Sequence, residues 1–592
     1  MTTRNVLLGS AALGLGLAAP LYAPSVPVRS FQESSAPSVS DLYDPLAMAR
    51  AMCGAGDRAP SPIIQGAIAA AVPVKDEPRS PRFEGLGPLT YKITTTSPDA
   101  QFFFNQGLKL FYAFNPGEAV ASFRAAHDAD PNCAMCYWGE ALTLGPNLNG
   151  PMFDENNLAA LAAVQKAKDL SANATPSERA LIDAVAARYS ADKKITRDDL
   201  NMAYADAMAK VHAAYKTDPE IAAIYAEAAM NMQAEPWSRW WDKSGRYPTG
   251  YVAGAIAAIE GVLANHPEHP GAIHLYIHAL DSSVYPEKVI PYADKLAALM
   301  PNAGHMVHMP AHTFFNVGRY KDALATNVAA IMVDDAYMKG AAAATPVYRH
   351  GLYQHNVHFA LAAADMAGDE ASAMRLIKVM EDFLAQKPMF VFDVSAAAAI
   401  HPVIRFGTPA NMLAIPPQDR KRPYMVGMRH FARGTAYAYQ MDTRRAAAEA
   451  AAIDKLRTGR KPQAEGMFGD LLGIAAEVVR GRAAAAEGKW TEAAERFGAA
   501  AQLQDKVPYR DPPFWDYPVR QAQGVALWRA GKLQHAAETL RQALIESPNS
   551  GYALYALKEI HATLGDTVAA AEYAKLFEKA WAGSKPPELD RL

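Results

Sequence analysis

GLKLFYAFNPGEAVASFRAAHDADP (residues 107–131) and GVALWRAGKLQHAAETLRQALIESP (residues 524–548) lie far apart in the chain yet carry the same punctuation. Gly107, Ala119, Phe123, Ala126 and Pro131 are separated by 12, 4, 3 and 5 residues, and Gly524, Ala536, Leu540, Ala543 and Pro548 repeat those gaps. Gly481, Ala493, Phe497 and Ala500 form a third copy, and Ala311, Ala323, Asn327 and Ala330 a fourth. Residues three and four apart share one face of a helix, so these small residues mark the line where two helices touch. The turns agree: Gly318-Arg-Tyr, Gly368-Asp-Glu, Gly488-Lys-Trp and Gly531-Lys-Leu each set a glycine five residues before the fixed alanine. Glycine there is the expected stop of the first helix of a hairpin. A fixed internal period of this kind marks stacked repeats.

The register resembles the tetratricopeptide repeat (TPR), whose 34-residue unit is a pair of helices with small residues at their contact and a proline ending the second. The resemblance implies an all-α, TPR-like α-solenoid over about residues 97–580, interrupted near 150–250 and 386–425. Strand signals are nearly absent. With 592 residues the chain is too long for one compact core, and an extended array answers that length. Half of the residues are apolar, many of them alanines in tracts such as AAAEAAA (447–453), which favour closely packed helices. The net charge is −3 and no basic stripe with interleaved aromatics occurs, which excludes nucleic acid as the expected partner.

Residues 1–23 read as a signal peptide, with Arg4 before an apolar stretch that ends near Ala23. An uncleaved anchor is the alternative. Residues 24–90, rich in Pro, Ser and Gly, read as a flexible, disordered lead-in. Residues 91–385 are expected to form an N-terminal solenoid with a histidine-rich groove, and 386–592 a C-terminal one. No other apolar run is long enough to span a bilayer. The expected location is therefore outside the cytoplasm, in the periplasm or at the cell surface.

Ten of the 16 histidines fall between His266 and His358. IHLYIHAL carries His274 and His278; HMVHMPAHTFF carries His305, His308 and His312; RHGLYQHNVHF carries His355 and His358. Each i, i+4 pair lies on one helix face and can chelate a single ion. His274 to His308 is 34 residues, as is His278 to His312, so the two pairs occupy equivalent positions in consecutive repeats. The TPR resemblance implies that these positions line the inner, ligand-binding groove, giving seven candidate metal ligands: His274, His278, His305, His308, His312, His355 and His358. Imidazole-rich ligation suits a transition metal, with zinc or copper the leading choices. The plainer reading is a groove whose histidines hydrogen-bond one another or a polar ligand. His266 and His269, in NHPEHPG, read as turn or capping residues.

Cys133 and Cys136 precede Tyr137, which excludes the usual haem attachment, and no βαβ context supports a thioredoxin-type pair. A local disulfide, free thiols or a thiolate metal site remain, the first being preferred outside the cytoplasm. Trp237, Trp240 and Trp241 in EPWSRWWDKSGRYP are candidates for the wall of a small-molecule pocket, against the plainer reading of a packed, irregular hairpin. Glu227 and Asp281 are candidate catalytic general bases or partners that orient ligating imidazoles, against capping or surface carboxylates. PYRDPPFWDYP (508–518) reads as an aromatic loop folding over the groove or the solenoid edge.

Taken together, SPDAQFFFNQGLKLFYAFNPGEAVASF, NCAMCYWGEALTLGPN, EHPGAIHLYIHALDSS and AGHMVHMPAHTFFNVGRY resemble a family of uncharacterised exported bacterial TPR proteins with a histidine-rich repeat pair. Pro116 and Asn316 depart from that family's pattern, which has histidine and arginine there. The resemblance implies no particular reaction. Three functions are weighed: a metal-binding repeat protein, a metalloenzyme using the same ions with a carboxylate base, and a metal-free interaction scaffold holding a protein, peptide or small molecule.

Overall fold

A computed structural model describes residues 80–592, except 151, 153–155, 233–239, 341–346, 389–390, 459–463, 465 and 509. The signal segment, most of the lead-in and Trp237 lie outside the described residues. Among those described there are helices and no strands, only the isolated bridges Asn147–Gly150 and Trp241–Pro248. The architecture is an all-α, TPR-like solenoid of helical hairpins.

The first hairpin shows how the sequence builds the unit. Helix α1 (Pro98–Tyr112) opens with Ser97, whose hydroxyl accepts the Ala100 N–H at 3.2 Å, followed by a proline that needs no partner for its nitrogen. Helix α2 (Pro116–Ala129) starts on an Asn115 cap in the same way. A side-chain carbon at Gly107 would come within 2.9 Å of the Phe123 ring. The equivalent atoms at Gly481 and Gly524 would come within 2.6 Å of Phe497 and 2.5 Å of Leu540. The repeated glycine is thus a contact point with the large residue one helix later, which is why both recur in register.

The site is carried by α3 (Pro270–Asp281), α4 (Gly304–His308), α5 (Pro310–Asn316), α6 (Tyr320–Gly340), α7 (Tyr353–Ala367), α8 (Glu370–Ala385), α9 (Ile400–Phe406) and α10 (Gly551–Thr563). Turn glycines 318, 368, 488 and 531 all adopt left-handed backbone, with φ of 75°, 72°, 72° and 78°. The same point of other hairpins is taken by Gly565 (78°) and by two residues that carry side chains, Phe114 (50°) and Met441 (60°).

Two features depart from the expected open array. Residues 80–90, read as part of the lead-in, are packed: the Phe83 N–H donates to Gln106 Oε1 at 2.9 Å, and the Asn302 side chain donates to the Glu84 carbonyl at 3.0 Å. The solenoid also closes on itself. Tyr552 of α10 donates to the Asp365 carbonyl at 3.2 Å, the Ala582 N–H to the Ala367 carbonyl at 2.9 Å, and Lys321 to the Lys579 carbonyl at 2.6 Å. Apolar residues from both sides of residue 385 belong to one buried cluster.

Candidate metal centre

Helix α3 begins at His269, whose Nδ1 accepts the Ala272 N–H at 3.1 Å, so this histidine is a cap as expected. One turn later α3 presents His274 and His278 on one face. The next repeat does so differently. Pro310 has no N–H to give to the preceding turn, and the helix expected across His305, His308 and His312 breaks at Met309 into α4 and α5. The His308 and His312 rings nevertheless face each other, with centroids 4.8 Å apart.

Six of the seven histidines gather into two triads, each with one nitrogen per residue within 4.8 Å of the others: His274, His278 and His305, and His308, His312 and His355. The triads adjoin, with 5.8 Å between the ring centroids of His278 and His312 and between those of His305 and His308. The histidines expected to line an inner groove are enclosed. His355 is partly buried, and the other five are no more than 2% exposed. The closed superhelix and the rings of Phe114 and Phe359 cover them. Phe114 stands 4.4, 5.9 and 5.3 Å from the His274, His278 and His305 rings, and Phe359 stands 5.3 and 5.0 Å from those of His308 and His312.

The hydrogen bonds fix which nitrogens carry protons. The Tyr112 carbonyl accepts only, so His274 Nδ1–H donates to it at 2.6 Å and His274 Nε2 keeps a lone pair, 3.2 Å from His305 Nε2. Asn327 donates its amide to the Ala323 carbonyl at 2.8 Å, so its Oδ1 accepts from His308 Nδ1–H at 2.7 Å. His312 Nδ1 lies 2.9 Å from Asp511 Oδ2 and 3.2 Å from Asp281 Oδ2. The Nε2 atoms of His308 and His312 are therefore aimed at each other across 2.9 Å. Two nitrogens on a tetrahedral ion at about 2.0–2.1 Å stand about 3.3 Å apart, close to the 3.2 Å of the His274–His305 pair and the 2.9 Å of the His308–His312 pair. Orienting a ligating imidazole through a hydrogen bond on its far nitrogen is how metal-binding histidines are ordinarily held.

Electrostatics separates the triads. Burial pushes His274 down to about 3 and, with the neighbouring imidazoles, holds His278 and His305 well below the ordinary histidine range, so the first triad is neutral. Burial also lowers His308 and His355. Burial would lower His312 too, but the Asp511 and Asp281 carboxylates outweigh it and raise the ring to about 10. Burial in turn lifts Asp281 to about 7 against the pull of His312, with Asp511 adding to the rise. Without an ion, one proton is thus held between His312 and its carboxylates, and His312 Nε2–H donates to His308. A cation at the second triad takes the place of the Nε2 proton, while Nδ1–H stays on the carboxylates.

The remaining sequence candidates are placed as follows. His358 joins neither triad: its Nδ1 is 3.4 Å from Ser395 Oγ and its ring stacks 6.3 Å from Phe514. Asp281 lies at the second triad. Glu227 does not: it is buried against Arg188 at 3.8 Å and accepts from Asn231, and burial raises its carboxyl. Trp240 and Trp241 are buried, and Trp241 donates to the Ala279 carbonyl at 2.8 Å, bracing α3 behind His278. Cys133 and Cys136 are joined by a disulfide. Sequence reasoning missed Asp511 and Asn327 as partners of the triads, and Phe114 as their cover. The 508–518 loop, read as folding over the groove, is what delivers Asp511. Asn316, one of the two departures from the pattern of the family the chain resembles, lies beside them, donating to the Asp281 backbone carbonyl at 3.3 Å and to the Asp511 carboxylate, at Oδ2, at 3.5 Å.

No protein-family model and no curated protein matches the chain. Among solved structures it is similar to a human IFIT1 dimer with PPP-AAAA, at 14% identity over 82% of this chain and 91% of that one, with a TM-score of 0.29. It is similar to yeast Tom70 at 10% identity over 81% and 92%, TM-score 0.25, and to Naa15/Naa10 bound to HypK-THB at 13% over 83% and 84%, TM-score 0.25.

Proposed function

We propose that the chain is an exported TPR-like protein, of the histidine-rich bacterial kind its motifs resemble, that holds a transition-metal ion, zinc or copper, in each buried histidine triad. The reading is carried by the Nε2 atoms of His308 and His312, which converge while Asn327 and the Asp281–Asp511 pair hold the opposite edges of both rings. Export to the periplasm or cell surface is supported by the signal-like first 23 residues and by the disulfide, a bond favoured in oxidising compartments. The test is elemental analysis of the purified protein by inductively coupled plasma mass spectrometry. Near-stoichiometric metal, reduced in a His308→Ala/His312→Ala double variant, is the expected result. Metal-free protein that stays metal-free after reconstitution overturns it and leaves the TPR-like solenoid as an interaction scaffold.

One observation favours a second reading, a metal-dependent enzyme. Each triad supplies three ligands, and catalytic ions keep a fourth position for water or substrate. Asp281 beside His312 is the candidate base. Cobalt(II) substitution tests this: a visible spectrum that changes with added azide reports an open position, and one indifferent to azide a closed site.

A further inference from the structure

A second polar cluster, outside both triads, is built where residues 514–517 pass between α9 and α10. It contains Asp365, His401, Arg405, Trp515, Asp516 and Tyr517, none more than 7% exposed. Arg405 Nη1 and Nη2, both oxygens of Asp516, both ring nitrogens of His401, Trp515 Nε1 and the Tyr517 hydroxyl have no hydrogen-bond partner among the described residues. A buried polar group left without a partner is costly, and native proteins carry few of them. Gathered in one place, these groups belong to a site that something else completes.

Arg405 sets the chemistry. Its guanidinium is sandwiched between the Tyr517 and Tyr552 rings, each 4.3 Å from Cζ, and its Nε donates to Asp365 Oδ1 at 3.2 Å. The plane is pinned and its Nη1–Nη2 edge left over, the fork that grips an oxyanion through two parallel hydrogen bonds. His401 and Trp515 rings stand 5.0 Å apart, with Tyr517 6.0 Å from His401 and 5.7 Å from Trp515, so further donors border the same place. Burial, then the nearby Asp365, hold Asp516 well above the usual carboxylate range, which makes it a neutral acid able to donate as well. Most of these unpartnered groups are donors, so what completes the cluster is a group with several acceptor atoms.

We propose that this cluster is a binding site for a small monocarboxylate, gripped by the Arg405 fork with Trp515 and Tyr517 as further donors. The ligand reaches it by displacement of the 510–518 loop that walls it.

The test is isothermal titration calorimetry on the full chain, as purified, with acetate, lactate, benzoate and inorganic phosphate as probes, on wild type, Arg405→Lys and Trp515→Phe. Lysine keeps a charge opposite Asp365 and loses the fork. Phenylalanine removes a donor that has no partner in the ligand-free protein, so the fold should tolerate it, and its melting temperature without ligand should match wild type or exceed it. At least one monocarboxylate is expected to bind, about tenfold or more weakly in each variant, with metal content unchanged. Three results overturn the proposal: no monocarboxylate binds wild type at millimolar concentration; phosphate binds and carboxylates do not; or binding is equal in all three proteins, which places the carboxylate elsewhere, as on a metal held by the triads. Because neither substitution touches a triad, failure here is distinguishable from failure of the metal reading.

Discussion

At the scale of single residues, the two triads differ by one proton, and this has a measurable consequence. Ion binding at the second triad displaces the Nε2 proton of His312, a ring that Asp281 and Asp511 keep charged through Nδ1 and whose folded value near 10 lies above neutral pH. Affinity there should fall about tenfold for each pH unit lowered between about 9 and 8, above the range where Asp281 itself takes up a proton, with about one proton released per ion at pH 8. The first triad is already unprotonated, His274 having been pushed to about 3, so its affinity should be flat over the same range. Calorimetry in buffers of different ionisation enthalpy separates the two, and equal proton release at both sites would show that the carboxylate pair does not act on His312. Replacing Asn327 by leucine removes the acceptor that orients His308 and should weaken the second site by 10–100-fold while leaving the first unchanged, read by competition with a chromophoric chelator. The paired histidines were legible in sequence because helix periodicity and repeat length both pass through them. Asp511 was not legible as their partner: it lies on an irregular loop far along the chain, and no local pattern ties a loop carboxylate to a distant imidazole.

At the scale of elements, the hairpin turn is where sequence and structure agree most closely, because only left-handed backbone connects the two helices so tightly and glycine adopts it without strain. Four of these turns could be read from Gly318, Gly368, Gly488 and Gly531. The turns at Phe114 and Met441 could not, since neither residue signals left-handed backbone. The two residues offer a matched experiment. Met441 is 66% exposed, so Met441→Gly relieves backbone strain and loses little else, and should stabilise the protein by about 1 kcal/mol in urea unfolding. Phe114→Gly relieves the same strain but removes a ring packed against three imidazoles, where losing a buried phenylalanine costs about 3–5 kcal/mol. A net loss of about 2–4 kcal/mol is expected there. If both substitutions stabilise alike, Phe114 is a turn residue only and not the lid of the first triad. The break at Pro310 teaches the complementary lesson: the histidine spacing predicts one continuous helix, and a single residue without an N–H splits it while leaving the His308–His312 contact intact.

At the scale of the whole molecule, closure turns a groove into an interior. The TPR register places the histidines on the inner face of the array, and a gently wound array leaves that face open to solvent. Here later repeats return to earlier ones through Tyr552 and Asp365, Ala582 and Ala367, and Asn549 and Val317, contacts whose partners share no local pattern and so leave no trace in the sequence. An ion inside such a shell leaves only when the shell opens. Release to a competing chelator should therefore reach a plateau rate as chelator concentration rises, set by opening and not by encounter. Loosening the closure should raise the plateau without altering the ligands. Tyr552→Phe deletes the hydroxyl that donates to Asp365, a bond worth about 1 kcal/mol, so the plateau should rise up to about fivefold while equilibrium stoichiometry stays the same. Stopped-flow mixing of the loaded protein with a chromophoric chelator reads both quantities. A release rate that climbs linearly with chelator, equal in the two proteins, would mean that the triads are reached directly from solvent and that closure of the superhelix guards nothing.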